Sequence, residues 1–454
     1  MKQNTSVLKR AGLIVTLMLA AGFTVKAQER ITLQGAVDRM LANNLNIKQA
    51  QVSEALGDAD LQQSKYNQLP SLSAFTSTGY NFGRSLITGT SDYLSSTSQS
   101  VNTNAQMSLT LFQGGQLRNQ IVQNRLTVEV NKSNTAKVKN DLILNVVTTY
   151  LQILINQDLV TAATQQGDIA NQTLQRSQIS FDAGRQTLAD LSQAKAQVAT
   201  ANLNLINAQN QLNISILILK QYMEMNPNTE ITVEKPDISR LTNVQTIFDA
   251  NQVVRTALDI NPDVKLAVAR QQTFAQSIKI AKGGFYPTLS LSGGVGSTYN
   301  NRFKKFLNNT AVDYQFFDQI RDNFNQSISL SLNIPIFNRF NAHTNVKKAE
   351  LNFQNAQLNT QIAKNNLSKI IIQAVLDLNA ANKQFQSATQ TFEANRDALN
   401  VTQQRYDVGL VNSLDYNTAV TNYNKSQNDM IQAQYSVIFR SKIIDYYLGN
   451  TITL

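Results

Sequence analysis

The sequence predicts a mostly helical chain that carries four short strands and uses one structural plan twice. Three observations lead there. Landmarks recur at a fixed spacing, the long stretches 116–180 and 341–405 lack proline, and the pieces before them alternate with period two.

The repeat comes first. Leu69-Pro70-Ser71-Leu72-Ser73 returns as Tyr286-Pro287-Thr288-Leu289-Ser290, and at the same offset Asn46-Ile47 returns as Asp263-Val264. A slightly larger offset relates Leu111-Phe112 to Ile336-Phe337. That larger offset holds from there on. It relates Phe181-Asp182-Ala183-Gly184 to Tyr406-Asp407-Val408-Gly409, Asp190 to Asp415 and Tyr222 to Tyr447. The copies therefore cover about 34–222 and 248–447, and the few extra positions of the second mark a loop. The expected organisation is a leader over 1–27, a first repeat over 28–222, a linking segment over 223–247, a second repeat over 248–447 and a tail over 448–454.

The leader reads as a secretory signal peptide. Lys2, Lys9 and Arg10 precede an apolar run from Ala11 to Phe23, and Val25-Lys26-Ala27 places small residues where a signal peptidase reads. The run is too short for a membrane span of about 20 residues. The chain has no Cys, so lipidation of an N-terminal Cys is not expected, nor is a disulfide framework, a thiol nucleophile or a Cys/His zinc site. One histidine, His343, sits at a strand–helix junction with no catalytic pattern around it. No phosphate loop and no HExxH motif occurs. No enzyme, cofactor or metal is expected. Without the leader the net charge falls from +10 to +6, because four basic residues leave with it. The remaining Lys and Arg are scattered, so no nucleic-acid partner is expected. Asn and Gln together outnumber the charged residues, so polar surface is made mostly without charge.

The elements follow in order. A helix opens each repeat. Strands are expected over 71–82 and 101–111, then a long helix over 116–180 and a returning helix over 188–221. The second copy repeats this with strands over 288–300 and 324–334, a long helix over 341–405 and a returning helix over 413–446. In 101–111, Val101, Thr103, Ala105, Met107, Leu109 and Leu111 fall on one face and Asn, Gln, Ser and Thr on the other. In 324–334, Phe324, Ile328, Leu330, Leu332 and Ile334 do the same, with Gln326 the exception. Strands 71–82 and 288–300 alternate less cleanly. These lengths fit a tilted bilayer crossing, which takes roughly 9–11 residues. Apolar-out and small-polar-in belongs to a water-filled outer-membrane barrel. Each long helix would extend about 98 Å at about 1.5 Å per residue. Leu142, Val146, Tyr150 and Leu154 in one copy, and Leu367, Ile371, Val375 and Leu378 in the other, form apolar stripes. Gly184 and Gly409 end the long helices; Thr187-x-x-Asp190 and Asn412-x-x-Asp415 start the returning ones.

Four strands cannot close. The smallest outer-membrane barrels have about eight, and an open edge is not tolerated in lipid. More than one chain must share a barrel. Eight strands fill their interior with side chains, so an open lumen favours three chains and twelve strands.

These motifs, in this order and twice over, resemble the TolC-like outer membrane efflux family. Leu-Phe-Gln-Gly-Gly (111–115) and Ile-Pro-Ile-Phe (334–337) resemble its strand-to-helix borders, and the Phe-Asp-Ala-Gly and Tyr-Asp-Val-Gly segments resemble its tip turns. The resemblance implies a homotrimer with a twelve-stranded outer-membrane β-barrel continued by a long periplasmic α-helical barrel. It also implies an equatorial region from 223–247 and the C-terminus. Its members are exit ducts of tripartite efflux pumps or type I secretion systems, exporting drugs or other substrates. They dock a periplasmic adaptor and an inner-membrane transporter at the helix tips. The candidate tip and gate residues are Phe181, Gly184, Asp190, Tyr406, Gly409, Asp415 and Thr418. In the family, acidic residues on the second returning helix narrow the closed tip; Asp415 matches the first position and Thr418 occupies the second. The family's tip-locking arginine falls on Val411, and Arg339-Phe340 stand where the first copy has Gly114-Gly115. Asp190 reads best as a helix N-terminal acid, and Asp415 combines that role with a gate. Arg302, Lys304 and Lys305 read as a solvated outer loop beside outer-membrane lipid. A structural coiled-coil or fibre-forming surface protein is the alternative reading; it accounts for the helices and amides and leaves the strands unexplained.

Cleavage after Ala27 is the expected processing. N-terminal sequencing of protein recovered from outer membranes should begin at Gln28, and a product that retains residues 1–27 would contradict it.

Overall fold

The computed structural model describes residues 29–86, 93–95, 97–236, 247–307 and 310–450. The expected leader, residues 237–246 of the linking segment and the last four residues of the tail lie outside these. In chain order the elements are β1 (Glu29–Ile31), α1 (Leu33–Asn43), α2 (Leu45–Tyr66), β2 (Ser71–Asn81), β3 (Arg84–Leu86), β4 (Tyr93–Ser95) and β5 (Ser98–Gln113). Then come α3 (Gln116–Asp182), α4 (Leu188–Tyr222), β6 (Ile231–Val233), α5 (Ala250–Ile260), α6 (Pro262–Lys282) and β7 (Thr288–Asn300). Last are β8 (Lys304–Leu307), β9 (Thr310–Asp313), α7 (Phe316–Asp322), β10 (Asn325–Asn333), α8 (Asn341–Asp407) and α9 (Ser413–Tyr447). No helix among the described residues is long and apolar enough to cross a membrane.

Compactness divides the chain differently from the repeats. Among the described residues, one unit draws on 29–47, 139–257 and 370–450; the other draws on 48–138 and 258–369. Each unit takes material from both copies, because α3 and α8 are long enough to pass from one unit into the other.

The second unit holds the sheet. Its order is β10-β7-β5-β2, antiparallel throughout. The register sets the faces, since directly opposed residues share a side. Leu72 pairs with Met107, which pairs with Gly293, which pairs with Ile328. Leu109, Leu291 and Leu330 form the next row. This face is apolar and bare: Leu72 is 79% exposed and Ile328 87%. The opposite face carries Ser, Asn, Gln, Thr and Gly, with Phe75 as its one apolar side chain. A bulge between Thr110 and Phe112 shifts the end of β5, so that Phe112 opposes Leu289.

The outer connection after β7 is built, not merely long. β8 and β9 form a hairpin, and α7 covers β7 where β10 has not yet begun. The buried Gln319 side chain accepts from the Asn300 N–H at 2.9 Å and donates to the Asn300 carbonyl at 3.0 Å. Asn323 donates to the Thr298 carbonyl at 2.7 Å. These amides replace the missing ladder and blunt the strand edge. Alternation cannot reveal such an edge cap, which depends on one glutamine.

Amides also tie the helices of this unit together. Gln276 donates to Asn119 Oδ1 at 2.9 Å, Gln123 to Ser277 at 2.6 Å and Asn131 to the Ser53 carbonyl at 2.9 Å.

The first unit holds the largest fully buried apolar side chains. Tyr150, Ile153 and Leu154 from α3, Leu219 from α4, Ile371 and Leu378 from α8, and Tyr435, Ile438 and Ile444 from α9 are fully buried. They recur at three and four, as helix-on-helix packing requires. Met40 and Ile47 join them. The parallel pair β1–β6 straps the start of the first repeat to the segment after it. The Tyr150 hydroxyl lies 2.7 Å from the Glu234 carbonyl and 3.2 Å from that of Ile31, so it pins the strap to α3. Burial, with the Glu234 charge behind it, pushes this phenol well above its usual range. Tyr435 donates to Asp158 at 2.8 Å, and Lys235 pairs with the same carboxylate.

The strand-to-helix corners differ between copies. Gly114 and Gly115 are left-handed, with φ of 57° and 73°. A Cβ at Gly114 would collide with the Gly283 carbonyl oxygen, so no side chain fits there. Arg339 and Phe340 adopt the same turn with φ of 56° and 59°, so the second corner turns without glycine and carries the strain. Phe340 recovers part of it in an edge-to-face contact with Phe337 at 5.6 Å. Arg339 is exposed. Arg339→Gly should therefore raise stability by about 0.5–1 kcal/mol, seen as a higher dissociation or melting temperature in detergent. A lower temperature would mean that the guanidinium holds the corner.

Candidate functional site

The candidate residues Phe181, Gly184, Asp190, Tyr406, Gly409, Asp415 and Thr418 all lie in the first unit, where the long helices end and the returning helices begin. Both long helices stop in the same way. The Arg185 N–H bonds to the Ser180 carbonyl and the Gly184 N–H to that of Phe181, both at 2.8 Å. Leu410 and Gly409 repeat this on Arg405 and Tyr406, at 2.8 and 3.0 Å. Glycine is required because φ is +70° at Gly184 and +79° at Gly409.

The returning helices start differently. Thr187 and Asp190 form a reciprocal capping box on α4. Asn412 caps α9 through the Asp415 N–H at 2.8 Å, without the reciprocal bond. The Asp190 carboxylate is further engaged by the Ser413 hydroxyl of the second copy. That bond, then those from the Thr187 side chain and backbone, hold Asp190 below the usual aspartate range. Asp415 is exposed, and among the described residues no hydrogen bond or ion pair occupies its carboxylate. Thr418 is exposed and bonds back to the Leu414 carbonyl at 2.9 Å.

At the turns, three contacts that sequence reasoning missed join the two hairpins, and a fourth, Tyr406 on Tyr416, lies within the second. Arg176 pairs with Asp407 at 2.9 Å. Gln186 donates to the Tyr406 hydroxyl at 2.9 Å. Tyr406 stacks on Tyr416, with centroids 4.7 Å apart and planes 6° from parallel. Ser413 reaches Asp190. Of the seven candidates, Asp190 and Tyr406 belong to this lattice, while Phe181, Gly184, Gly409, Asp415 and Thr418 have no part in these four contacts. One signal was present: Gln186 is the first copy's counterpart of Val411.

Above the tip the hairpins leave a cleft of about 770 Å³ between α3, α4 and α9. Its walls are Gln, Asn, Thr, Ala, Ile, Leu and Val, with Lys425 and Asp429 its charged residues. No cluster of His, Cys, Asp and Glu among the described residues could hold a metal.

Comparison with known proteins places this geometry. The profile of the outer membrane efflux protein family matches residues 36–223 and 253–450. The outer membrane protein TolC of Escherichia coli is 23% identical over 309 residues, which is 68% of this chain and 61% of that relative; the chain thus covers about three-fifths of TolC. Among solved structures, CusC superposes with a TM-score of 0.77 at 16% identity and covers 92% of both chains. The CmeC outer membrane channel of Campylobacter jejuni does so with a TM-score of 0.74 at 19% identity, over 92% of this chain and 85% of its own.

Because the Asp190 carboxyl is more acidic folded than unfolded, its contribution is full above the ordinary aspartate pKa of 3.8 and disappears as pH falls through the folded value. Asp190→Ala should lower amide-exchange protection at residues 187–191 roughly three- to tenfold at pH 7. The gap between wild type and variant should close in acid. A gap that persists unchanged when the carboxylate is neutral would show that its charge is not what holds the cap.

Proposed function

Because the chain belongs to the outer membrane efflux protein family, we propose that it is the outer-membrane exit duct of a tripartite efflux pump or type I secretion system. Three copies close twelve strands into one barrel in the outer membrane. Their helices continue it into the periplasm, where the tips meet a periplasmic adaptor and an inner-membrane transporter. Drugs or other exported small molecules pass through it passively, and the energy comes from the inner-membrane partner.

The observation that carries this reading is the sheet. Its face of Leu72, Met107, Leu109, Leu291, Ile328 and Leu330 is apolar, its other face is uncharged and, apart from Phe75, polar, and among the described residues β2 and β10 each offer an unpaired edge. Strands of 11, 16, 13 and 9 residues bracket the length of a tilted crossing. A fibre-forming surface protein has no need of such a sheet.

The tip is then the gate. Arg176–Asp407, Gln186–Tyr406 and Asp190–Ser413 hold the two hairpins together, with Tyr406 braced by its stacking on Tyr416, in place of the arginine lock that Val411 lacks. Asp415 presents free negative charge at the entrance, one per copy. In planar bilayers the purified protein should run as a heat-resistant trimer and open small, steady pores. Arg176→Ala should raise that conductance several-fold by freeing the hairpins. Asp415→Ala should weaken block by divalent cations from the tip side. A monomeric protein without pores would overturn the duct reading. Pores whose conductance and block ignore both substitutions would overturn the gate assignment.

A further inference from the structure

The polar face of the sheet has one apolar residue. Counted through the register, it carries Ser71, Ser73, Ser77, Gly79 and Asn81 from β2 and only Ser, Asn, Gln, Thr and Gly from β5, β7 and β10. The exception is Phe75. Its row runs Phe75, Asn104, Gly296, Asn325. The rows on either side begin with Ser73 and Ser77. A phenyl ring in the middle of a hydroxyl and amide wall is out of pattern for a face that meets water.

The ring is left open by its own chain. Phe75 is 61% exposed, and among the described residues no aromatic contact involves it. Asn104, its direct neighbour, leans the other way: a Cβ built on Gly296 would collide with Asn104 Oδ1. The Asn104 amide therefore lies over Gly296 and leaves Phe75 open. Closing the barrel does not cover the ring either. The strand that would pair with β2 is another copy's β10, and the same-face residues of β10 are Asn325, Ser327, Ser329, Ser331 and Asn333. None of these is apolar.

We propose that Phe75 is a cargo-contacting residue of the duct. The three copies present three rings at one level, and these stack on planar, aromatic, weakly charged small molecules as they pass. The assignment rests on the trimeric duct reading. The chemistry is selective because the rest of the wall offers hydroxyls and amides, which water satisfies equally well, and no fixed charge. Only an apolar or aromatic cargo gains by leaving water for Phe75. The residue adjusts dwell time rather than ion flow, since one ring per four strands narrows a twelve-stranded lumen little.

The test is single-channel recording of reconstituted wild type with ethidium added on the outer-loop side, and tetrapropylammonium as a cation without rings. Ethidium should produce resolved blocks. Phe75→Ser and Phe75→Leu should both shorten them, roughly three- to tenfold, and Phe75→Tyr should keep them. Open-pore conductance and the response to tetrapropylammonium should stay as in wild type. Each variant is first checked as a heat-resistant trimer, and Leu preserves an apolar residue should Ser fail to assemble. Equal ethidium dwell in wild type and Phe75→Leu, or parallel changes for both cations, would overturn the assignment while leaving the duct intact. Wild-type protein that forms no pores would overturn both.

Discussion

The fold depends on two rows of unpaired backbone groups. Among the described residues β2 and β10 end the sheet, and each leaves one side of its N–H and C=O groups without partners. In water those groups would be hydrated. Beside the apolar face of Leu72, Ile328 and Leu330 they would meet lipid, where each unsatisfied group costs several kcal/mol. In the proposed trimer a second copy resolves this, because its β2 and β10 are the complementary edges. The sheet is therefore a fragment of a larger closed object. Where the edge cannot be served by a neighbour, past Gly296 on β7, the chain serves itself through Gln319 and Asn323.

The helices answer the same requirement by other means. In the proposed duct, a wall of helices has water on one or both sides and partners on its flanks, so it cannot be amphipathic in the ordinary sense. Charged side chains would serve the wet face and fail at the flanks; apolar ones would do the reverse. Asn and Gln serve both, which gives the amide excess two jobs. Some line polar surface, as around the cleft above the tip. Others make the bonds between helices, as in Gln276–Asn119, Gln123–Ser277 and Asn156–Ser215. The largest fully buried apolar side chains are then concentrated in the first unit, where Tyr150 and Tyr435 add buried hydroxyl contacts to the packing.

The elements were legible because they obey short-range rules. Alternation exposes β5 and β10, absence of proline exposes α3 and α8, and Gly184 and Gly409 mark turns that few other residues could make. The repeat offset made each reading testable against its twin. What stayed hidden was pairwise and long-range. Arg176 and Asp407 are far apart in the chain and occupy unrelated positions in the repeat, so no spacing connects them. The β1–β6 pair is three residues on each side, too short to alternate. α7 is a short helix within a loop, and its role lies in the Gln319 side chain. The two hairpin turns are marked by their glycines, whereas the contacts that join the hairpins depend on how the helices are rotated about their axes.

The duplication also shows where the copies have stopped being interchangeable. Asp190 and Asp415 are repeat equivalents, and both stand at the third residue of a helix. Capping alone would treat them alike. Instead Asp190 is bonded by Thr187 and by Ser413, whose repeat equivalent is Leu188, so the first copy has no hydroxyl to return the contact to Asp415. One carboxylate is consumed in holding the hairpins together and the other is left to face solvent. The strand-to-helix corners diverge too: glycine in the first copy, where Gly283 crowds the turn, and a strained Arg-Phe pair in the second. The present chain separates the two aspartates: Asp190 is bonded across to the second hairpin, and Asp415 stays exposed.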